Sequence, residues 1–219
     1  SKRRPPVIVV FPDCFTRLGG NQYINSSAIG DYADYLNQEI VPFVDGEFRT
    51  LASAAHRGCF GKSSGGYGAM RMGMAYPDTW GAIANHSGDA NFDFVYGAEW
   101  PAVLTHLQNF AKPLLKTGKQ SVTPQSVPGE DDGRVKRFLT YVAETPPNGE
   151  KPLSNSDVMT LMLLAMAATY DPDPAAPNGF YLPYDLHTGE RIQARWRQWL
   201  KHDPVNMVKA NKRRLAKLQ

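Results

Sequence analysis

The segment Gly61-Lys62-Ser63-Ser64-Gly65-Gly66 constrains this chain more than any other. It stands between a strand-like run, Arg57-Gly58-Cys59-Phe60, and a helical pattern over about 67–76 that Pro77-Asp78 stops. A chain that passes from strand to helix in so few residues must bring the two close together. Glycines permit that approach because they carry no Cβ. The first five residues also fit G-x-S-x-G, a turn that holds a serine in a strained backbone so that its hydroxyl projects above a sheet. In that geometry Ser63 is the candidate nucleophile. The N–H of Ser64, at the helix start, points at the oxygen on which charge develops when a carbonyl is attacked. The pentapeptide by itself is a weak signal; the strand before it, the helix after it and Gly66 give it weight.

A nucleotide-binding reading competes, because Gly61-Lys62-Ser63 is also the end of a G-x-x-x-x-G-K-[ST] loop. The first glycine of that loop belongs at position 56, which is His56, and Gly58 leaves the loop two residues short. No apolar strand ending in Asp follows at a suitable distance to hold magnesium. The phosphate-loop reading fails.

Strand and helix patterns alternate around the motif. Val7-Ile8-Val9-Val10-Phe11 has no polar alternation, as expected of a strand buried on both faces of a parallel sheet. A polar loop runs from Pro12-Asp13 to Gly30. Asp31 is expected to cap a helix with Tyr32, Leu36, Ile40 and Val44 on one face, and Pro42 to kink it or mark its weakened end. Gly81-Ala82-Ile83-Ala84-Asn85 reads as a third strand. This order predicts a doubly wound α/β core with a mostly parallel sheet. From Asn91 onward only helical patterns appear, at about 98–115, 135–144, 157–170, 190–201 and 204–218, with Asn155 or Ser156 capping the third. Pro-rich connectors separate them. The expected organisation is a core over residues 1–95 and a helical cap over residues 96–219.

Composition excludes several classes. The 24 Lys and Arg against 21 Asp and Glu leave a net charge of +3, too small and too mixed to argue for a nucleic-acid partner. No apolar run reaches the length of a membrane span. No His, Cys or Asp group has ligand spacing, so neither metal nor cofactor is expected. Two cysteines form no disulfide framework and favour a reducing, cytoplasmic location. The basic start resembles a signal n-region, but the apolar run after it is too short for an h-region.

Four stretches carry a family resemblance: Pro12-Asp13-Cys14-Phe15-Thr16, Phe60-Gly61-Lys62-Ser63-Ser64-Gly65-Gly66-Tyr67-Gly68-Ala69, Tyr76-Pro77-Asp78 and His86-Ser87-Gly88-Asp89. Together they resemble the putative-esterase branch of the α/β hydrolases, which includes S-formylglutathione hydrolases, feruloyl esterases, mycobacterial mycolyltransferases and enterochelin esterases. The likeness is specific over about 7–95 and continues less distinctively through Leu182-Pro183-Tyr184-Asp185 and His202-Asp203-Pro204. It implies an α/β-hydrolase core with a helical cap, and a small-molecule ester substrate. It also implies hydrolysis through an acyl-enzyme on Ser63, with the Ser64 N–H in the oxyanion hole. Acyl transfer to another alcohol would use the same groups. Cys14, Phe15, His86 and Asp89 are further candidates for lining the pocket.

In that family the second oxyanion donor lies upstream of the strand placed at 7–11, and the triad acid and histidine follow later strands. The chain therefore reads as truncated at both ends, with a partner or a second copy expected to complete the sheet. The alternative is a catalytically incomplete fragment or a binding protein. In the family's strand order one strand separates those of Cys14 and Cys59. Two strand spacings are about 9–10 Å, beyond the roughly 7 Å Cα limit for a disulfide, so both thiols are expected free. Within the chain, His86 shares a sheet edge with Ser63, and Asp89 is either an acid or a pocket or capping residue. His56 is expected to be structural and His106 on the surface. His187 and His202 could reach the site from the cap. Trp196 and Trp199 are expected to pack, and the basic residues of 209–217 to form a solvated face.

Overall fold

Residues 7–11 depart first from expectation. In the computed structural model, which describes residues 6–112, 131–146 and 151–218, they join no ladder. Their side chains are exposed, from 44% at Val10 to 87% at Phe11. The expected strand buried on both faces is thus corrected. A strand is held by partners that satisfy its N–H and C=O groups, and no described segment pairs with these residues.

The loop that follows contains an antiparallel hairpin that polarity concealed, Asn25–Ser26 (β1) with Gly30–Asp31 (β2). Helical structure then runs through Tyr32–Asp34 (α1), a π-helical stretch at Tyr35–Ile40, and Val41–Glu47 (α2). Asp31 precedes it without a side-chain cap bond. Pro42 has no N–H to give, and the Val41 N–H reaches back five residues to the Leu36 carbonyl. The helix therefore widens where a kink or a weakened end was expected.

Gly58–Lys62 (β3), Ser64–Ala75 (α3) and Ala82–His86 (β4) form one βαβ unit. The strands are parallel, in register from Gly58↔Ala82 to Lys62↔His86. The other edge of β3 has no partner among the described residues, and Phe60 on it is 71% exposed. One side of α3 meets a small cluster of Cys14, Ala33, Leu36 and Met72, against which Cys59 packs. Both cysteines are free thiols, and burial pushes Cys59 up to about 12.

After β4 the described chain is helical, as its patterning predicts. Phe92–Val95 (α4), Trp100–Leu107 (α5), Arg134–Glu144 (α6), Asn155–Tyr170 (α7), Gln193–Leu200 (α8) and Pro204–Leu215 (α9) follow in order. The short α4 was not foreseen, and residues 113–115 of the expected 98–115 helix lie outside the described residues. Ser154, one position before the expected caps, starts α7. Its hydroxyl accepts from the Asp157 N–H, while the Asp157 carboxylate accepts from the Ser154 N–H at 2.8 Å. The other Asp157 oxygen lies 2.8 Å from His106 Nε2. His106 is therefore half-buried and ties α5 to α7, a correction to its expected place on the surface.

Tyr67 carries α3 into the main core. Its ring packs on Phe92 and Tyr170, and Tyr96, Trp100, Trp196 and Trp199 extend the cluster. Each such side chain contributes roughly 2–3 kcal/mol on burial, and ring pairs such as Trp196 with Trp199, 5.6 Å apart, add to it. Trp196 and Trp199 thus pack as expected. Asp203 locks the junction. Its carboxylate accepts the N–H groups of Asn91 and Phe92 at 3.0 and 2.8 Å and caps α9 through Val205. One buried side chain thus serves the first turns of two helices. Beside it His202 stacks on Tyr170, ring centres 5.3 Å apart. Burial first, then the charges of Arg71 and Lys201, hold His202 down to about 4.

Two outcomes follow from this junction. Asp203→Ala should lower unfolding stability in urea by about 2–3 kcal/mol, because it leaves buried N–H groups unpaired. A histidine in the unfolded chain titrates near 6.5, so between that value and about 4 the unfolded state binds the extra proton. Stability should fall as pH drops through this window. His202→Phe, which keeps the ring stack, should remove much of that slope in unfolding curves measured from pH 7 to 4.

Candidate active site

Strained backbone gathers at one end of the two-stranded sheet. Ser63, between β3 and α3, has φ 54° and ψ −122°. Ser87 and Asn91, in the loop after β4, have φ of 49° and 58°, and Tyr23 has φ 56°. Non-glycine residues hold such values only where their surroundings over-determine them, and they concentrate at functional sites. This end is also the C-terminal end of both parallel strands, where open α/β sheets bind ligands. Ser63 is exposed, and its Oγ has no hydrogen-bond partner among the described residues. Its N–H donates to the His86 carbonyl at 2.9 Å, and its carbonyl accepts the Tyr67 N–H at 2.9 Å. The backbone is thus pinned on both sides of an open hydroxyl.

Close packing of three segments forces this turn. A Cβ on Gly61 would stand 2.4 Å from the Gly65 carbonyl carbon. One on Gly66 would meet Asn85 Oδ1 at 2.5 Å and Gly88 N at 2.9 Å, and one on Gly88 would meet Tyr67 N at 2.4 Å. Gly65 itself has open space. The tight positions here are therefore Gly61, Gly66 and Gly88.

Ser64 opens α3, and no described acceptor takes its N–H. Gln22 reaches its hydroxyl, with Nε2 3.4 Å from Ser64 Oγ, 2.9 Å from Asp89 Oδ2 and 3.3 Å from the Tyr96 hydroxyl. Tyr96 donates to Asp89 Oδ2 at 2.8 Å. Burial, reinforced by the Asp89 charge, pushes the Tyr96 hydroxyl far up, so it remains a neutral donor.

Of the residues singled out from sequence, Ser63, Ser64, His86 and Asp89 come together at this end. Cys14 is buried beside Met72 in the small cluster, and Phe15 is 79% exposed. His86 contributes its carbonyl to Ser63, while its side chain is exposed. His56 pairs with Ser53, His187 is exposed, and His202 is packed in the core. Gln22 and Tyr96 were not foreseen. Gln22 stands in a polar loop with no periodicity to mark it as buried, and the α4 turn carrying Tyr96 is too short to announce itself. Two hollows of about 430 and 500 Å³ lie in the helical layer, near Arg137 and near His106, and neither includes Ser63. Among the described residues no three His, Cys, Asp or Glu side chains are grouped to hold a metal. No described helix is long and apolar enough to cross a membrane.

The parallel βαβ unit, with a strained serine at its strand-to-helix turn, is part of an α/β-hydrolase-like fold, the class that the family match implies. Residues 7–216 match the family model described as Putative esterase, and the chain belongs to that family. It is similar to Esterase MT1326 of Mycobacterium tuberculosis (strain CDC 1551 / Oshkosh), with 25% identity over 176 residues. The likeness to Esterase Rv1288 of M. tuberculosis (strain ATCC 25618 / H37Rv) has the same identity and extent. Both alignments cover 78% of this chain and 33% of the relative, so the chain spans about a third of the length of the curated relatives it matches. A solved ferulic acid esterase aligns over 69% of this chain and 47% of its own, at 16% identity and a TM-score of 0.30, too loose a superposition to argue from.

Gly66→Ala tests the packing directly. The added methyl group should destabilise the fold by about 1–3 kcal/mol in urea unfolding, whereas Gly65→Ala, with open space around it, should cost less than half as much.

Proposed function

We propose that Ser63 is the nucleophile of a serine carboxylic ester hydrolase. One observation carries this reading: an exposed serine held at φ 54° in a strand-to-helix turn, the geometry of a nucleophile elbow. Ser63 Oγ attacks the ester carbonyl and gives up its proton to a base. The N–H of Ser64, which has no described acceptor, steadies the oxyanion, and the alcohol leaves. Water then releases the acid from acyl-Ser63. Family membership and relatives named as esterases support the reaction class. Acyl transfer to an alcohol in place of water would use the same groups. The open edge of β3 and the exposed Val7-to-Phe11 run support a further strand pairing there.

One observation favours the second reading, a chain that takes up the acyl group without efficient turnover. None of the five histidines is within hydrogen-bond reach of Ser63 Oγ. His86 is the nearest in the fold, since its carbonyl is bonded to the Ser63 N–H.

A fluorophosphonate should label Ser63, read by peptide mass mapping, and Ser63→Ala should abolish labelling. Labelling at another residue contradicts the assignment. Hydrolysis of p-nitrophenyl acetate that vanishes in Ser63→Ala supports the esterase. Labelling without turnover supports the second reading.

A further inference from the structure

Gln22 is 1% exposed, and a buried primary amide is costly unless its hydrogens are used. Its two N–H hydrogens face acceptors on four other elements: Ser64 on α3 at 3.4 Å, Asp89 in the loop after β4 at 2.9 Å, Tyr96 at the end of α4 at 3.3 Å and the Met166 sulfur on α7 at 2.9 Å. Its buried carbonyl oxygen has no partner among the described residues. Tyr96 spends its own proton on Asp89, so its oxygen is left to accept. The amide therefore ties the residue following the nucleophile to the loop on the far strand.

Gln22 is itself fixed from both sides. Asn21 is buried, donates through Nδ2 to the Cys14 carbonyl, and accepts the Tyr23 N–H. Tyr23 holds the left-handed backbone noted above, and its ring lies over α3 where a Cβ on Gly68 would meet it at 2.4 Å. A strained residue, a glycine contact and a buried asparagine fix the backbone on either side of Gln22. A side chain that merely filled space would need no such arrangement.

We propose that Gln22 is a positioning residue for Ser63, acting through the Ser64 hydroxyl to set the Ser63–Ser64 peptide. That peptide carries the candidate oxyanion donor and joins it to the residue bearing the nucleophile. A rotation there misaims both against an ester carbonyl, and small misplacements at a reacting centre are felt strongly in rate. This role rests on Ser63 being the nucleophile.

The test follows fluorophosphonate labelling of the full chain, resolved into apparent reagent affinity and inactivation rate constant. Gln22→Met keeps the length and removes the amide; Ser64→Ala removes the acceptor and keeps the N–H. Each should lower the inactivation rate constant about tenfold with reagent affinity unchanged, a size in keeping with a misaimed donor. The double variant should be no slower than either single one. Gln22→Glu should label slowly at neutral pH, where its carboxylate faces Asp89, and gain relative to the unmodified chain as pH falls and it becomes a donor. Unchanged rates in Gln22→Met, or a loss in Gln22→Met that Ser64→Ala does not share, would overturn the role while leaving the nucleophile standing. An unmodified chain labelled away from Ser63 would overturn both, so the two failures are told apart.

Discussion

The depth to which α3 sinks against β3 and β4 governs the rest of the structure. Gly61, Gly66 and Gly88 leave no room for a side chain at the points where helix, strand and loop cross. That closeness places the Ser63 N–H on the His86 carbonyl and forces Ser63 into a backbone that serine otherwise avoids. The strain is local, on the order of 1–3 kcal/mol. It is offset by the aromatic core on the far side of α3, where Tyr67 meets Phe92 and Tyr170. Hydroxyl exposure and helix burial are thus two ends of one packing arrangement.

The helical layer is coupled to the same end of the sheet. Asp203, far along the chain, caps α9 and holds the backbone of Asn91 and Phe92. Two residues before that point lies Asp89, bonded to Gln22 and Tyr96. A change at the start of α9 therefore reaches the loop facing Ser63 through covalent and hydrogen-bonded links, with no element in between. The helical half of the sequence fixes the loop after β4 as well as covering α3.

Periodicity revealed most of the helices and two of the expected strands, because α3, α6 and α7 carry long apolar patterns and β3 leads into an unmistakable turn. It misled at Val7 to Phe11. Those residues have the composition of a central strand, but composition records what a segment can bury and says nothing of whether a partner is present. The strand-to-helix turn at Ser63 and Ser64 was legible because its spacing is mechanical. Gln22 was not, since its burial arises from contacts 42, 67, 74 and 144 residues away. His106 was misread for a similar reason: its partner, Asp157, is 51 residues distant.

The central claim is a covalent one, that an ester's acyl group passes onto Ser63. Rapid acid quench of the chain with an excess of p-nitrophenyl ester, followed by tandem mass spectrometry of its peptides, tests it most directly. A nucleophilic Ser63 predicts a single acyl adduct on the peptide containing Ser63, fragmenting to Ser63, resistant to neutral hydroxylamine as a serine ester is, and cleaved by alkaline hydroxylamine. An adduct on Lys62 or on a cysteine, or release of p-nitrophenol with no adduct at Ser63 at any quench time, would contradict it.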